Sequence, residues 1–295
     1  MKQSILSKVL LHAFFIITCM CFIIPILYIV SLSFTSEEVI QSAGYGLIPK
    51  EIDFAGYKAV FENPGQLITS YKVTFSYTAL GTFLSMIVMT LAAYPLSKKS
   101  FRFRKQISFY MYFTLLFSGG LIPTYIINTR YLGLGNSFWV YIIPGLANAY
   151  HIIILRTFFA GLPDSLHEAA RIDGASEIKI FFKIILPLSK PVLATIALLR
   201  IFSAWNDWST SLYYIRDSEL WSLQYLLQRI LKESEFLEKM ARDTSLLISL
   251  DGVKTAPVES MRFAMAILAA GPVLIVFPFF QKYFTKGLTV GSVKG

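Results

Sequence analysis

A length of 295 residues would suit one or two soluble domains, but 55% of the residues are hydrophobic, only 15% are charged, and the mean hydropathy is +0.58. Soluble domains usually carry about 25% charged residues, whereas here Phe alone (25) outnumbers Asp and Glu together (18). Disordered, collagenous, coiled-coil and disulfide-stapled chains are excluded, and the class that remains is a polytopic membrane protein. The net charge of +9 needs no nucleic-acid partner, because cytoplasmic loops of membrane proteins collect Lys and Arg.

A bilayer core about 30 Å thick needs roughly 20 apolar residues as helix, and six segments are long enough. They run over about 9–34, 71–96, 107–129, 138–161, 192–214 and 261–284. The first begins after Lys2 and Lys8 and exceeds the core of a cleavable signal, so it reads as a retained span. Cys19 and Cys21 lie inside it at a spacing that points them to different helix faces, which argues against a bridge. Between the spans, 36–70 is turn-rich, Lys98–Lys105 carries five bases and no acid, 162–191 is long, and 216–260 is longer. With the N-terminus inside, the cytoplasmic segments hold roughly 15 Lys/Arg against 4 acids, which favours cytoplasmic N- and C-termini. The basic run Lys98–Lys105 reads as this topology signal, with specific lipid binding as the other reading.

Glycine and proline punctuate the spans at Pro25, Gly119–Gly120 with Pro123, Pro144–Gly145, Pro272 and Pro278. Most suit kinks and close packing. The Gly119–Gly120 cluster is the best placed to break a helix and expose backbone beside a water-filled path. In the fifth span Arg200, Trp205, Asn206, Asp207 and Trp208 lie close together. Intramembrane charges normally face a bundle interior or aqueous cavity. Asn206 and Asp207 suit sugar hydroxyls and the tryptophans suit a pyranose face; an interfacial belt is the alternative. Tyr125, Asn128 and Asn148 are further candidates for a substrate path.

The segment 162–191 reads LPDSLHEAARIDGASEIKIFFKIILPLSKP. Ser165 to Glu168 fits a capping box, and Leu166, Ala169, Ala170 and Ile172 follow as one short amphipathic helix. Gly174 suits a positive-φ terminator; a second helix starts at Ser176 and is expected to stop at Pro187. The result is a helix–turn–helix with small alanines near its bend. Between the fifth and sixth spans, Leu220, Leu223, Leu226, Leu227, Ile230 and Leu231 recur at helical spacing, predicting an amphipathic helix over 219–238 on the outer surface.

Glu168-Ala169-Ala170, Asp173-Gly174-Ala175, Phe181, Ile184, Leu186-Pro187 and Pro191 resemble the EAA loop of ABC-importer permeases. Ala93 to Ser97, Gly119 to Thr124, Trp205 to Trp208 and Lys286 to Gly295 extend the likeness over most of the chain, and within that family it is similar to the maltose-type second permease of importers for polysaccharide-derived oligosaccharides. The resemblance implies an all-α, six-helix, type I importer permease forming a single domain over 1–295. It implies inward transport of an oligosaccharide by alternating access, in a bacterial cytoplasmic membrane. Its partners would be a sister permease, two copies of an ABC ATPase and an extracytoplasmic solute-binding protein. Glu168, Ala169, Ala170, Asp173 and Gly174 would form the ATPase-coupling surface, and the terminal 286–295 would reach toward the ATPase pair. No GxxxxGK[ST] pattern occurs in the chain, so ATP and Mg²⁺ belong to the partner ATPase and this chain needs no cofactor or metal. An intramembrane enzyme finds little support in three histidines (His12, His151, His167) with no HExxH or GxSxG. An ion-driven secondary transporter would need buried carboxylates in several spans, and only Asp207 qualifies.

Overall fold

The computed structural model describes residues 5–62, 64–245 and 257–291, and every regular element among them is helical. An isolated antiparallel bridge joins Thr35 to Ile52. The chain divides into two compact units, Met1–Leu67 with Leu226–Pro272 and Ile68–Tyr225 with Val273–Gly295.

The first unit opens with α1 (Ile5–Ser33), whose apolar side chains over 9–27 are exposed all round, Phe22 to 72%, while Leu32 near its end is buried. A helix with that surface suits hydrocarbon as its solvent, and Pro25 sits within it. The short helix α2 (Glu37–Ala43) is capped by Ser36, which accepts from the Val39 N–H, and is closed by Gly44 at φ +73°. Helix α3 (Ala55–Val60) lies so close to the backbone of Ser260 that a Cβ on Gly56 would stand 2.6 Å from the Ser260 carbonyl carbon. Only glycine permits that approach. The unit also takes in the start of α14 (Val258–Gly291), whose first N–H groups, on Glu259 and Ser260, donate to the Glu37 carboxylate.

The second unit is built on α4 (Pro64–Ser97). Down one side it buries Ser70, Thr74, Thr78, Thr82 and Ser85. Residues four apart share a helix face, and small hydroxyl residues let neighbouring helices approach closely. The third predicted span is two helices, α5 (Arg104–Leu116) and α6 (Leu121–Ile126), the latter continued by a π-turn over Ile127–Tyr131; they meet at 116°. The break falls at Gly119–Gly120, with Gly120 at φ +84°, as the sequence suggested. The fourth predicted span is 3₁₀ turns over Phe138–Tyr141 and Ile143–Gly145, then α7 (Ala149–Ala160), bent by 45°.

Next come α8 (Asp164–Ile172) and α9 (Glu177–Ile180). The chain runs on from α9 through a π-turn, Phe181–Ile185, to α10 (Leu186–Leu188). Pro187 therefore does not stop the second helix. The π-turn just before it rearranges the ladder where proline would leave a carbonyl unpaired, and the axis turns 77° only at Ser189. After that, α11 (Lys190–Trp205) ends where the fifth span was expected to continue; α12 (Ser209–Tyr214) and α13 (Leu223–Ser245) follow.

Three helices are long and apolar enough to cross a membrane, within α1, α4 and α14, and each of the three bent pairs passes the same test when joined, so the described residues offer three to six spans. Two corrections concern the loops. The amphipathic helix α13 buries Leu223, Leu226 and Leu227 inside the protein, so that part of its apolar face does not lie on a membrane surface. Backbone helix continues to Gly291, so the terminal segment expected to follow the sixth span begins within α14; 292–295 and 246–256 lie outside the described residues.

Candidate functional site

Two regions hold the residues singled out from sequence. The first is the helix–turn–helix α8–α9. Its first helix starts at Asp164, directly after Pro163, and has no side-chain cap. The expected capping box is absent because proline at 163 already sets the entry dihedral, which leaves Ser165 inside the first turn. Asp164 supplies the negative charge that the helix N-terminus favours. The rest of the local reading holds: Gly174 has φ +73°, and Ser176 caps α9 by accepting from the Lys179 N–H.

The bend divides its residues sharply. Ala170 is 8% exposed, in one core with Leu155, Phe159, Ile180 and Phe181. It therefore faces its own chain and drops out of the expected coupling surface. Glu168, Ala169, Asp173 and Gly174 are exposed. So are two apolar residues, Ile172 at 86%, which the sequence groups with the amphipathic helix, and Ile178 at 72%. The outer side of the bend is thus an apolar pair flanked by two carboxylates.

What holds the bend in place was not read from sequence. Arg171 Nε donates to Glu177 Oε1 across Gly174 (2.9 Å), and Tyr94 Oη donates to Glu177 Oε2 (2.8 Å). Lys98 Nζ lies 2.7 Å from the His167 ring nitrogens and 5.0 Å from the Tyr94 ring centre. Tyr94 also packs on Phe181 at 4.9 Å. The hydrogen bond from Arg171, with that from Tyr94, holds the Glu177 carboxyl below the ordinary carboxylate range. Burial, reinforced by Lys98, holds the His167 imidazole below its usual value, so it stands neutral and can accept from the ammonium. Burial likewise lowers Lys98. These contacts fasten the bend to the end of α4. A sequence signal existed in Arg171 and Glu177 straddling Gly174, but Tyr94 and Lys98 are about seventy or more residues away and carried none.

The second region is the break after α11. Asn206 donates to the Phe202 carbonyl (2.9 Å) and is exposed. Asp207 Oδ1 accepts from the Thr210 N–H and the Ser209 hydroxyl (3.0 Å each), so it caps α12. Trp205 is buried at 5% exposure, which removes it both from sugar stacking in this conformation and from an interfacial belt; Trp208 is half-buried. Arg200 and Asp207 point to different tasks. The Arg200 guanidinium donates from Nε to Ser85 Oγ (3.4 Å) and lies in a notch at Gly81 and Gly145, where a Cβ on Gly145 would stand 2.6 Å from Nη2.

Tyr125 stacks on Tyr214 at 5.5 Å and Asn128 donates to the Tyr214 hydroxyl (3.2 Å), which brings those two candidates together; Asn128 is buried. Asn148 is exposed and caps α7 by accepting from the His151 N–H. Around the break, residues not singled out from sequence satisfy the loose backbone. Tyr77 donates to the Ala204 carbonyl (2.9 Å) and stacks on Tyr141 at 4.4 Å. Ser222 donates to the Asp207 carbonyl (2.9 Å), and Thr74 accepts from the Leu223 N–H (2.8 Å). Broken helix at membrane depth is tolerated when protein re-satisfies its backbone in this way. Of the spaced hydroxyls of α4, Thr74 serves this role, while those of Ser70, Thr78 and Thr82 have no hydrogen-bond partner among the described residues.

A family model described as "Binding-protein-dependent transport system inner membrane component" matches residues 4–290. The chain belongs to that family. Its members are membrane permeases, not enzymes, and work in an ABC importer with an ATPase and a binding protein. The permease is 37% identical over 290 residues to the polygalacturonan/rhamnogalacturonan transport system permease protein YtcP of Bacillus subtilis (strain 168), covering 98% of this chain and 99% of that one. It is 38% identical over 275 residues to protein LplC of the same organism, covering 92% and 90%. A solved structure, of a bacterial ABC transporter involved in the import of the acidic polysaccharide alginate, superposes on this permease with a TM-score of 0.77. Its matched chain is 33% identical, with 96% of this chain and 99% of that one covered. The expected class, an all-helical type I importer permease, is therefore established. The enzyme and secondary-transporter readings have no support.

Proposed function

We propose that this permease carries an oligosaccharide derived from a polysaccharide inward, and that its cytoplasmic bend is the surface on which a separate ATPase pulls. The observation that carries the coupling reading is the division of the bend. Ile172 and Ile178 stand exposed beside Glu168 and Asp173, while Tyr94, Glu177 and Arg171 fasten the same turn to α4. Two exposed isoleucines on a polar segment are a hydrophobic patch in search of a partner. Docking would bury them, and the fastening would pass a displacement into the membrane helices.

The remaining parts follow the same reading. Both termini face the cytoplasm, the three bent pairs each complete a span, and a sister permease forms the other half of the path, with two ATPase copies below. ATP and Mg²⁺ are held by that ATPase. The substrate class is supported by the name of the Bacillus relative YtcP and by that of the solved transporter. Asn206 and Tyr125 are exposed candidates along the path and Trp208 is a half-buried one; Asn148 is exposed but caps α7, and Arg200, Asp207 and Asn128 serve the architecture first.

The deciding experiment replaces Ile172 by Asp, and separately Ala169 by Trp, in the assembled importer. Burying two isoleucines is worth about 1.5–3 kcal/mol each, so sugar-stimulated ATPase activity should fall at least tenfold while the membrane subunits still co-purify. Undiminished stimulation in both variants would reject the docking surface.

A further inference from the structure

Where α4 hands over to α5, a pocket of about 660 Å³ opens beside Arg156 of α7. Five cations line it, Lys99, Arg102, Arg104, Lys105 and Arg156, and no carboxylate among the described residues does. Like charges so gathered repel one another unless an anion sits among them. Four of the five come from the basic run that the sequence reads as a topology signal, with lipid binding as the other reading. Arg156 does not; it reaches in from a different segment and donates to Ser108 Oγ (2.9 Å), a buried residue of the same wall. Arg104 keeps a buried Nε without a hydrogen-bond partner among the described residues. The pocket also sits on the N-terminus of the thirteen-residue α5, which no side chain caps. The Arg104 N–H donates to the Phe101 carbonyl (3.1 Å), and the helix dipole favours an anion at this end.

Part of the lining is aromatic. Phe109 and Tyr112 supply it, and from there α5 runs on with Tyr110, Phe113 and Leu116 exposed. A soluble anion would use only the cations. A molecule with a phosphodiester head and hydrocarbon chains would use both surfaces, and basic pockets between membrane helices are suited to such head groups. We infer that this pocket binds the headgroup of an anionic phospholipid, with Arg104 and Arg156 on the phosphate and Phe109 and Tyr112 against the chains. The inference uses the membrane-spanning character of the chain and is independent of the coupling bend.

The test uses the whole importer, purified with its partners and stripped of lipid, then given phosphatidylglycerol or phosphatidylcholine of matched chains and read by native mass spectrometry. Phosphatidylglycerol should be retained selectively, and Arg104→Gln with Arg156→Gln should cut retention about 30-fold, the order expected for two basic charges near a lipid surface. The doubly conservative Arg104→Lys with Arg156→Lys should retain most of it. Glycerol 3-phosphate at the same concentration should not displace the lipid. If the Gln variant fails to assemble, a photoactivatable phosphatidylglycerol should label Phe109–Tyr112 in the unaltered importer. Equal retention of both lipids, unchanged retention in the Gln variant, or labelling only elsewhere would overturn the inference. Displacement by glycerol 3-phosphate would assign the pocket to a soluble phosphate ester, and loss of the ATPase from the Gln variant with lipid still bound would assign it to protein docking. Ile172→Asp should leave lipid retention unchanged, so the outcome is separable from that of the coupling reading.

Discussion

Arg200 shows how one side chain can draw several breaks together. It leaves α11, bonds Ser85 on α4 and lies in the notch at Gly145, whose carbonyl accepts from the Ser85 hydroxyl (3.1 Å). A methyl group at 145 would stand 2.6 Å from the guanidinium. Gly145→Ala should therefore expel the side chain and cost about 1–3 kcal/mol, the usual penalty of overpacking. A lowered melting temperature of the detergent-solubilised permease is the measurement. Normal stability would mean the guanidinium has room to move. His167 makes a second prediction at the same scale. Its imidazole is held below the ordinary value of 6.5 by burial first and by Lys98 second. A depressed histidine costs nothing while neutral, so protection of the bend should be level above about pH 7 and decline as pH falls below about 6.5. Hydrogen exchange over 164–172, corrected for intrinsic rates, reads this directly, and His167→Gln should flatten the profile.

At the scale of the element, the bend is too short to hold itself. Helices of nine and four residues are marginal in water and need packing. Ala170, Ile180 and Phe181 supply the apolar part and the Tyr94–Glu177–Arg171 contacts the polar part. The Arg171–Glu177 pair is exposed on both sides, so it adds little to global stability; its task is geometric. Tyr94→Phe removes one hydrogen bond, worth about 1 kcal/mol, and should raise exchange in 171–180 several-fold without altering assembly. If transmission runs through this fastening, the same variant should weaken sugar-stimulated ATPase activity while leaving its basal rate alone. Unaltered coupling would move the path to the apolar contacts.

Over the whole molecule, much of the fold was legible in the order of the residues. The continuous spans are runs of apolar residues with no competing signal, so α1, α4 and α14 lie where composition puts them. The turn at Gly174 and the break at Gly120 were legible because both require positive φ, which glycine supplies. The end of α11 at Trp205 was not, because Asn206 to Trp208 are polar and aromatic but contain no proline or glycine. Its stability comes from Tyr77 and Ser222, whose hydroxyls reach the freed carbonyls of Ala204 and Asp207. The burial of Ala170 was not legible for a similar reason. Two adjacent alanines look alike in a sequence, and the face each one shows depends on where Phe159 and Ile180 arrive.

Sequence by itself settled that the chain lives in a membrane, where its continuous spans lie, and that residues 162–191 contain two short helices turned at a glycine. Those features depend on transfer free energy and local dihedral preference, which each residue carries with it. Tertiary structure alone decided which alanine is buried, which carboxylate caps a helix, and which bases converge on Arg156. Each of these is a meeting of side chains from separate segments, and only the packing of the helices brings them within reach.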